Sequence, residues 1–228
     1  MQTHLEGAAP RTMGEIFARQ VPLIPILAIT DVEQAEPLLA ALEEAGIVAI
    51  EVTLRTPAAL AVIERMARAT SRATIGAGTL TQPEHFQQAL DAGAQFTVGP
   101  ALTPALATAA KAAGLPFVPG VCTPTEVLLA REYGFRELKF FPADLSGGTN
   151  WLRHVRPLYP DVSFCPTGGI NDANVVSYLE LDNVFAAGGV YLAPRDLIEA
   201  GNWRVIRDQA KRSVDIAAEA SGIRAKRA

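Results

Sequence analysis

The run Glu137-Leu-Lys-Phe-Phe-Pro-Ala143 places one lysine among large apolar side chains. If the run is a β-strand, alternation sends Lys139 and Phe141 to one face and Leu138 and Phe140 to the other. Burying an unpaired charge is costly, so the ammonium group must be paired with an anion, lose its proton or reach water. A neutral buried lysine is a nucleophile towards carbonyl carbons. The alternatives are a buried ion pair and a lysine at an ordinary strand end.

Seven other apolar runs resemble a strand in the same way, and most are followed by a helical pattern. Together with the lysine run, they predict strands at residues 21–29, 48–54, 74–79, 95–100, 116–121, 137–143, 162–167 and 183–191. Three Thr-Pro pairs, at 56–57, 103–104 and 123–124, stand just beyond three of these strands. Threonine is a favoured helix cap and proline a favoured first helical residue, so each pair predicts a helix start.

This alternation predicts an α/β protein with a single-domain (β/α)8 fold, a TIM barrel, preceded by a short helix from Thr12 to Gln20. No linker or shift in composition divides the chain, so residues 1–228 are expected to form this one domain. Residues 1–11 and 220–228 are expected to be frayed tails. An open doubly wound sheet is the alternative, because the same alternation fits it.

Composition narrows the function classes. The chain has 49% hydrophobic and 19% charged residues and a net charge of -4, which is ordinary for a globular protein. No apolar run has the length of a membrane span, and the first residues do not resemble a signal peptide, so we expect a cytoplasmic protein without a membrane partner. The basic tail Arg224-Ala-Lys-Arg227 has no motif context that indicates nucleic-acid binding.

Metal chemistry is not expected either. Cys122 and Cys165 are isolated from each other and from histidines, and no Asp, Glu and His set with metal-ligand spacing follows the predicted strands. We therefore predict a protein without a metal or another cofactor.

In a barrel of this kind, polar residues near the ends of strands form the active site. In the second strand, Glu51, Thr53 and Arg55 share one face. An interior ion pair would explain Glu51 and Arg55 as well as catalysis would. Convergence with Lys139 favours a site, because three charged groups in one core are costly unless they are used.

Two glycine-rich stretches extend this candidate site. In Ile75-Gly-Ala-Gly-Thr79, missing side chains would let a ligand approach the backbone, although such glycines also relieve crowding. Pro166-Thr-Gly-Gly169 and Gly188-Gly189 follow the seventh strand and lie in the eighth, each near a helix start. That arrangement is typical of the phosphate site of many barrels, where backbone N–H groups face the anion.

Four motifs in one order carry a resemblance to a known family. They are Glu51-Val-Thr-Leu-Arg55, Gly76-Ala-Gly-Thr79, Lys139-Phe-Phe-Pro-Ala143 and Phe164-Cys-Pro-Thr-Gly-Gly-Ile170. From about residue 21 to residue 203 the chain resembles the 2-keto-3-deoxy-6-phosphogluconate (KDPG) aldolases, pyruvate-forming class I aldolases of the Entner-Doudoroff pathway. The resemblance implies a homotrimeric (β/α)8 barrel, a Schiff-base mechanism, a small phosphorylated keto acid as substrate, and no metal.

The resemblance also implies a role for each matching residue. Lys139 would form the imine, and Glu51 would be the general acid and base. The pyruvate-like carboxylate would be held by Arg55, Thr79 and main-chain groups near Pro100, and Phe141 would pack against the imine. The hydroxyl and phosphate end would be formed by Thr167, Gly168, Gly169, Gly188 and Gly189.

One departure concerns specificity. Many family members carry a serine and a tryptophan after the last glycine pair, whereas this chain has Val190 and Tyr191. The same mechanism acting on 4-hydroxy-2-oxoglutarate, on the galactonate epimer or on an unphosphorylated acid is therefore an alternative. An isomerase or epimerase, with Glu51 as base and Lys139 only electrostatic, and a binding protein without catalysis also remain open.

Overall fold

The computed structural model describes residues 12–17 and 21–225, with side chains in the last helix up to Glu219. The strands are β1 (Leu23–Leu27), β2 (Ala49–Thr53), β3 (Thr74–Gly78), β4 (Phe96–Val98), β5 (Phe117–Val118), β6 (Gly120–Val121), β7 (Glu137–Phe140), β8 (Ser163–Pro166) and β9 (Ala187–Gly189). The helices are α1 (Met13–Phe17), α2 (Ala35–Glu44), α3 (Ala59–Ala69), α4 (Glu84–Asp91), α5 (Pro104–Ala113), α6 (Pro124–Glu132), α7 (Gly148–Val155), α8 (Val175–Leu179), α9 (Arg195–Glu199) and α10 (Trp203–Ala225). Single turns of 3-10 helix occupy Val32–Gln34 and Val190–Leu192.

The strands pair in parallel throughout the described residues and form two sheets. One sheet has six strands in the order β5-β4-β3-β2-β1-β9, and the other has three in the order β6-β7-β8. The predicted fifth strand is interrupted at Pro119, so its two parts pair with different neighbours. Isolated bridges from Phe164 to Val184 and from Thr167 to Gly188 connect β8 with the segment around β9. The α/β fold with curved parallel sheets is confirmed, while an eight-stranded closed barrel stays a prediction.

Alternating side chains divide the interior into two apolar clusters. The larger cluster fills the space between strands and helices and includes Leu27, Val52 and Phe140. The smaller cluster takes the opposite side chains of the same sheets, among them Ile24 and Phe96. Burial on both faces explains why these strands read as nearly continuous apolar runs.

The short helix α1 closes one side of the smaller cluster. Its Met13 and Phe17 pack there against Phe96 and its neighbours. The Glu137 carboxylate accepts hydrogen bonds from the Met13 N–H at 2.9 Å and the Gly14 N–H at 2.6 Å. A carboxylate at this position satisfies N–H groups that have no partner inside the helix and complements the helix dipole. Glu137, the first residue of β7, therefore anchors α1 to this strand.

The predicted helix starts agree with the structure at two of the three Thr-Pro pairs. Thr103 caps α5 and Thr123 caps α6, where Glu126 completes a capping box. Thr56 instead donates to the Ile29 carbonyl at 2.5 Å, and α3 begins only at Ala59. The hydroxyl there ties the turn after β2 to the end of β1 rather than capping a helix.

Helix ends account for the other differences. The helical pattern after the seventh predicted strand forms a helix only at Val175–Leu179, because Asn171 and Asn174 hold the preceding residues in a turn. The helix α10 continues to Ala225, past the point where the tail from residue 220 was expected. Residues 18–20 of the first predicted helix, the tail 1–11 and residues 226–228 lie outside the described residues. Among the helices described, none combines the length and apolar character needed to span a bilayer.

We expect Glu137→Ala to lower the free energy of unfolding by about 1–2 kcal/mol, because two N–H groups at the start of α1 lose their acceptor. Denaturant unfolding measures the loss, and amide hydrogen exchange at residues 13–17 locates it. Glu132→Ala is a matched control, since that carboxylate is exposed on nearby α6. Unchanged exchange in α1 after Glu137→Ala would contradict the anchoring role.

Candidate active site

A cavity of about 240 Å³ lies at the carboxyl ends of the strands, and every predicted site residue except Gly188 lines it. A larger groove of about 650 Å³ lies at the opposite end of the strands. Its charged side chains are those of Lys111, Arg136, Glu137 and Asp161, and none of them is buried. Of these two, the smaller cavity combines buried charged groups with an opening, which is typical of an active site.

The cavity is built around a buried pair of opposite charge. Lys139 on β7 and Glu51 on β2 have side chains that are 9% and 3% exposed, with Nζ 3.5 Å from Oε1. The ring of Phe141, which follows β7, lies with its centroid 5.4 Å from Nζ. A Cβ at Gly78 on β3 would overlap the Glu51 carboxylate. The glycine predicted to admit a ligand therefore makes room for the catalytic candidate itself.

A chain of hydrogen bonds positions Arg55 at one end of the cavity. Thr53 donates through Oγ1 to the Leu27 carbonyl at 2.7 Å and accepts from Arg55 Nε at 3.1 Å. Nε is thereby used, and the two terminal nitrogens of the guanidinium group remain for an anion. The sequence placed Thr53 on the correct face but gave it no role.

Thr79 borders the same end from the turn after β3. Its φ of 66° is in the left-handed region, which is strained for a β-branched residue. The neighbouring amides hold it there: Leu54 N–H donates to Gly78 O at 2.8 Å, and Leu80 N–H donates to Val98 O at 3.1 Å. Such strain often marks functional positions. Pro100, from the turn after β4, lines the cavity as well.

The other end of the cavity consists of two backbone turns. Gly168 and Gly169 have φ values of 93° and 82°, which only glycine adopts readily. The first turn is fixed from outside, because Ala143 N–H donates to Thr167 O at 2.8 Å and Asp144 N–H donates to Gly168 O at 3.1 Å.

The second turn contains Gly189 and Val190, and Val190 is 58% exposed at the rim. Gly188 lies behind this surface, since a Cβ there would be 2.9 Å from Thr167 Oγ1. The structure therefore does not bring Gly188 to the cavity. Among the residues that line this end, no side chain is basic.

Helix ends contribute less to this region than the sequence indicated. The helix after β8 starts only at Val175, and the turn after β9 is a single 3-10 turn at Val190–Leu192. An anion here would meet backbone N–H groups of the glycine turns rather than the start of a long helix. Ile26 and Ile170 also line the cavity. Nothing in the sequence distinguished these two from other core residues.

Cys165 lies next to Lys139 in the register of β7 and β8. Burial raises the pKa of its thiol to about 12, although the Lys139 charge acts in the opposite direction. Cys165 therefore stays a neutral thiol at physiological pH and acts as a packing residue. Within residues 12–17 and 21–225, no three His, Cys, Asp or Glu side chains come together in a group suited to a metal ion.

Comparison with known proteins places this arrangement in context. Residues 15–209 match the family model described as "Aldolase: KDPG and KHG aldolase". A 2-dehydro-3-deoxy-phosphogluconate aldolase from Pseudoalteromonas atlantica is 43% identical over 209 residues, which cover 92% of this chain and 95% of the relative. The KHG/KDPG aldolase of Escherichia coli K12 is 38% identical, with coverage of 90% and 96%.

A solved structure with a similar fold shows a covalent intermediate. It is a KDPG aldolase from Legionella pneumophila with pyruvate captured at low pH as a covalent carbinolamine. Its TM-score is 0.86 and its sequence identity 37%, with 90% of this chain and 98% of that chain covered.

The buried pair yields a prediction about stability. We expect Glu51→Ala to lower the free energy of unfolding by about 3 kcal/mol, because Lys139 would be left buried without its anion. The double variant Glu51→Leu/Lys139→Met should recover most of that loss, since both charges are gone. Denaturant unfolding of the single and double variants measures the coupling.

The control for this cycle is Asp215→Ala, which removes the exposed partner of Lys211 on α10. An exposed pair contributes little, so this change should have a far smaller effect. Equal effects of Asp215→Ala and Glu51→Ala would show that Lys139 does not depend on Glu51.

Proposed function

This chain belongs to the KDPG and KHG aldolase family and is a carbon–carbon lyase, and we propose that it cleaves 2-keto-3-deoxy-6-phosphogluconate through an imine on Lys139. The products would be pyruvate and glyceraldehyde 3-phosphate. The observation that carries the proposal is the buried Lys139 amine in the cavity, 3.5 Å from the Glu51 carboxylate. A nucleophilic amine beside an acid–base group is what a Schiff-base mechanism requires.

Binding of the keto acid would begin at Arg55. Its free nitrogens would bind the substrate carboxylate, assisted by the Thr79 hydroxyl and by main-chain groups near Pro100. Arg55 and Lys139 line the same cavity, so a carboxylate held by Arg55 would place the adjacent C2 carbonyl towards Nζ. Phe141 would cover the new imine and exclude water from one side.

The chemistry follows from this placement. Proton transfer to Glu51 would leave a neutral Lys139 amine, which attacks C2 to form a carbinolamine. Glu51 then returns this proton to the carbinolamine hydroxyl, which leaves as water and gives the protonated imine. The C3–C4 bond breaks as its electron pair moves towards the iminium nitrogen, and Glu51, directly or through a water molecule, takes the C4 hydroxyl proton. C4 leaves as the aldehyde carbon of glyceraldehyde 3-phosphate. The remaining enamine is protonated at C3, and hydrolysis releases pyruvate.

The phosphate would lie against the two glycine turns at the opposite end. Backbone N–H groups at Gly168, Gly169, Gly189 and Val190 would be its donors, with the Thr167 hydroxyl nearer to the reacting carbons. Because no basic side chain lines this end, affinity for the phosphate would depend on how accurately the amides are placed.

The absence of charged side chains at the end with the glycine turns also supports one alternative. The same mechanism on 4-hydroxy-2-oxoglutarate, on the galactonate epimer or on an unphosphorylated acid needs Lys139, Glu51 and Arg55 but makes fewer demands on the glycine turns. The family name covers both KDPG and KHG aldolases, and the relative from Escherichia coli carries both names. Dependence of kcat/KM on the phosphate group discriminates between these substrates.

We further propose that the two sheets form one closed (β/α)8 barrel, with residues 117–121 counted as a single strand. In support, β5 and β6 are separated only by Pro119, and bridges from Phe164 and Thr167 reach the β9 segment. A single domain over residues 1–228, a homotrimer and a cytoplasmic location stay predictions.

Trapping with sodium borohydride tests the imine. In the presence of pyruvate we expect a reduced adduct on Lys139 and none on Lys111, Lys211 or Lys226, the other lysines of the chain. Peptide mass spectrometry locates the added mass. Lys139→Arg should abolish the adduct and lower kcat by at least about 1000-fold, because the guanidinium group is protonated and cannot form the imine.

The matched control is Lys111→Arg, which changes an exposed lysine on α5 and should leave trapping intact. Turnover without an adduct, or an adduct that persists in Lys139→Arg, would reject the Schiff base on Lys139. An isomerase that uses Glu51 as base would then become the leading function.

Val190 yields a prediction about stereochemistry. A valine cannot hydrogen-bond a sugar hydroxyl, so we expect weaker discrimination between the gluconate and galactonate C4 epimers than a serine would give. Val190→Ser should change the ratio of kcat/KM for the two epimers by about 3- to 10-fold, the effect of one hydrogen bond. Val190→Ala controls for lost apolar volume, and identical ratios in the native protein and Val190→Ser would contradict the idea.

A further inference from the structure

One face of the last helix contacts residues that follow the two glycine turns, on the side away from the cavity. Gln209, Arg212 and Ser213 lie three and four residues apart on α10 and so share a face. Arg212 and Ser213 lie beyond residue 209, where the match to the family model ends.

The turn at Gly189 and Val190 is fixed to this face through Tyr191. Gln209 donates through Nε2 to the Tyr191 carbonyl. The Tyr191 ring packs directly against Gly189, because a Cβ at that glycine would overlap the ring. A displacement of Tyr191 would therefore move the backbone of Gly189 and Val190.

The turn at Gly168 and Gly169 is fixed to the same face through Asp172. Ser213 is fully buried, and its hydroxyl donates to Asp172 Oδ1 at 2.5 Å. Arg212 Nε lies 3.3 Å from the other carboxylate oxygen. The link from Asp172 back to the turn is short, since Asn171 Nδ2 and Asn174 Nδ2 both donate to the Gly169 carbonyl, at 3.2 and 2.8 Å.

The Tyr191 side chain ends in a hydroxyl on the side of the turn that faces away from the solvent. This group is buried and makes no hydrogen bond to the part of the chain that the structure describes. Burial raises the pKa of Tyr191, and the Asp172 carboxylate adds to the increase, whereas the nearby Ser213 hydroxyl lowers it. Gln209 and Ser213 are themselves in contact, because Ser213 Oγ lies 3.2 Å from the Gln209 carbonyl oxygen. Tyr191 from one turn and Asp172 from the other are therefore held by neighbouring residues of α10.

We propose that Tyr191, Asp172 and Ser213 form a positioning cluster that sets the separation of the two glycine turns and so the affinity of the cavity for a phosphate group. The proposal rests on the proposed function, in which that end of the cavity holds the substrate phosphate. Backbone amides form useful hydrogen bonds only within a narrow range of distance and angle. Because no basic side chain lines the end with the glycine turns, a change in the separation of these amides has no compensating charge.

The test compares Ser213→Ala and Tyr191→Phe with Val214→Ala in the full-length protein. Val214 is the next residue on α10, is buried and packs towards Gly46, away from both turns. Val214→Ala should therefore loosen the same helix without altering the cluster. Steady-state kinetics use 2-keto-3-deoxy-6-phosphogluconate and its unphosphorylated analogue, and calorimetry measures binding of glycerol 3-phosphate.

For Ser213→Ala we expect KM for the phosphorylated substrate and Kd for glycerol 3-phosphate to rise about 3- to 10-fold, as loss of well-placed hydrogen bonds implies. Tyr191→Phe should change KM and Kd by less than about twofold, because the ring that packs on Gly189 is kept and the lost hydroxyl makes no hydrogen bond to the described residues. In both variants, kcat and the kinetics of the unphosphorylated substrate should change less than about twofold, and Val214→Ala should leave KM and Kd unchanged even where it lowers Tm.

Three results would overturn the cluster. They are an unchanged Kd for glycerol 3-phosphate in Ser213→Ala, an equal rise in KM for both substrates, and the same rise in Val214→Ala. Failure of the proposed function is recognised separately, because borohydride trapping of pyruvate on Lys139 does not involve this end. Without trapping, the glycerol 3-phosphate titration still decides for or against the cluster.

Discussion

The pair of Lys139 and Glu51 is the contact on which the rest of the site depends. Burying two charges loses hydration that their mutual attraction recovers only with favourable geometry. Here the partners come from β7 and β2, which belong to different hydrogen-bonded sheets. The pair therefore needs both sheets to curve towards one cavity, and it needs glycine at position 78, where a side chain would displace the carboxylate.

The two ends of the cavity achieve binding by different means. At one end Arg55 supplies a full positive charge, and Thr53 fixes its orientation through the Leu27 carbonyl. At the other end, only backbone amides and the Thr167 hydroxyl are available. The Arg55 side chain is held by one hydrogen bond at Nε, which leaves its terminal nitrogens free to adjust to a ligand. A backbone donor, in contrast, is placed only as accurately as the segment that carries it. The glycine end consequently depends on packing from outside the cavity, which α10 provides.

The sequence predicted the features that follow from local pattern and single residues. Lys139 and Glu51 were identified because a charged residue in a buried strand is costly, and strand parity placed Thr53 and Arg55 on one face with Glu51. The sequence did not predict that Gly78 leaves space for Glu51 or that Gly188 lies behind Thr167, because both depend on contacts between strands. The interruption at Pro119 and the late start of α8 were missed for a related reason. Those boundaries are set by pairing partners and by asparagine side chains, not by periodicity.

Val190 and Tyr191 both differ from the serine and tryptophan that many family members carry, and the two differences are related. Where many family members carry a serine, this chain presents an exposed valine, so no hydroxyl reaches the substrate from that position. Where the tryptophan would follow, Tyr191 carries a hydroxyl that is buried on the opposite side, near Ser213 and Asp172. In this chain the turn therefore carries a hydroxyl on its buried side and none at its exposed position 190. Under the proposed function, specificity at this end would depend less on a side chain that touches the sugar and more on how rigidly the turn is held.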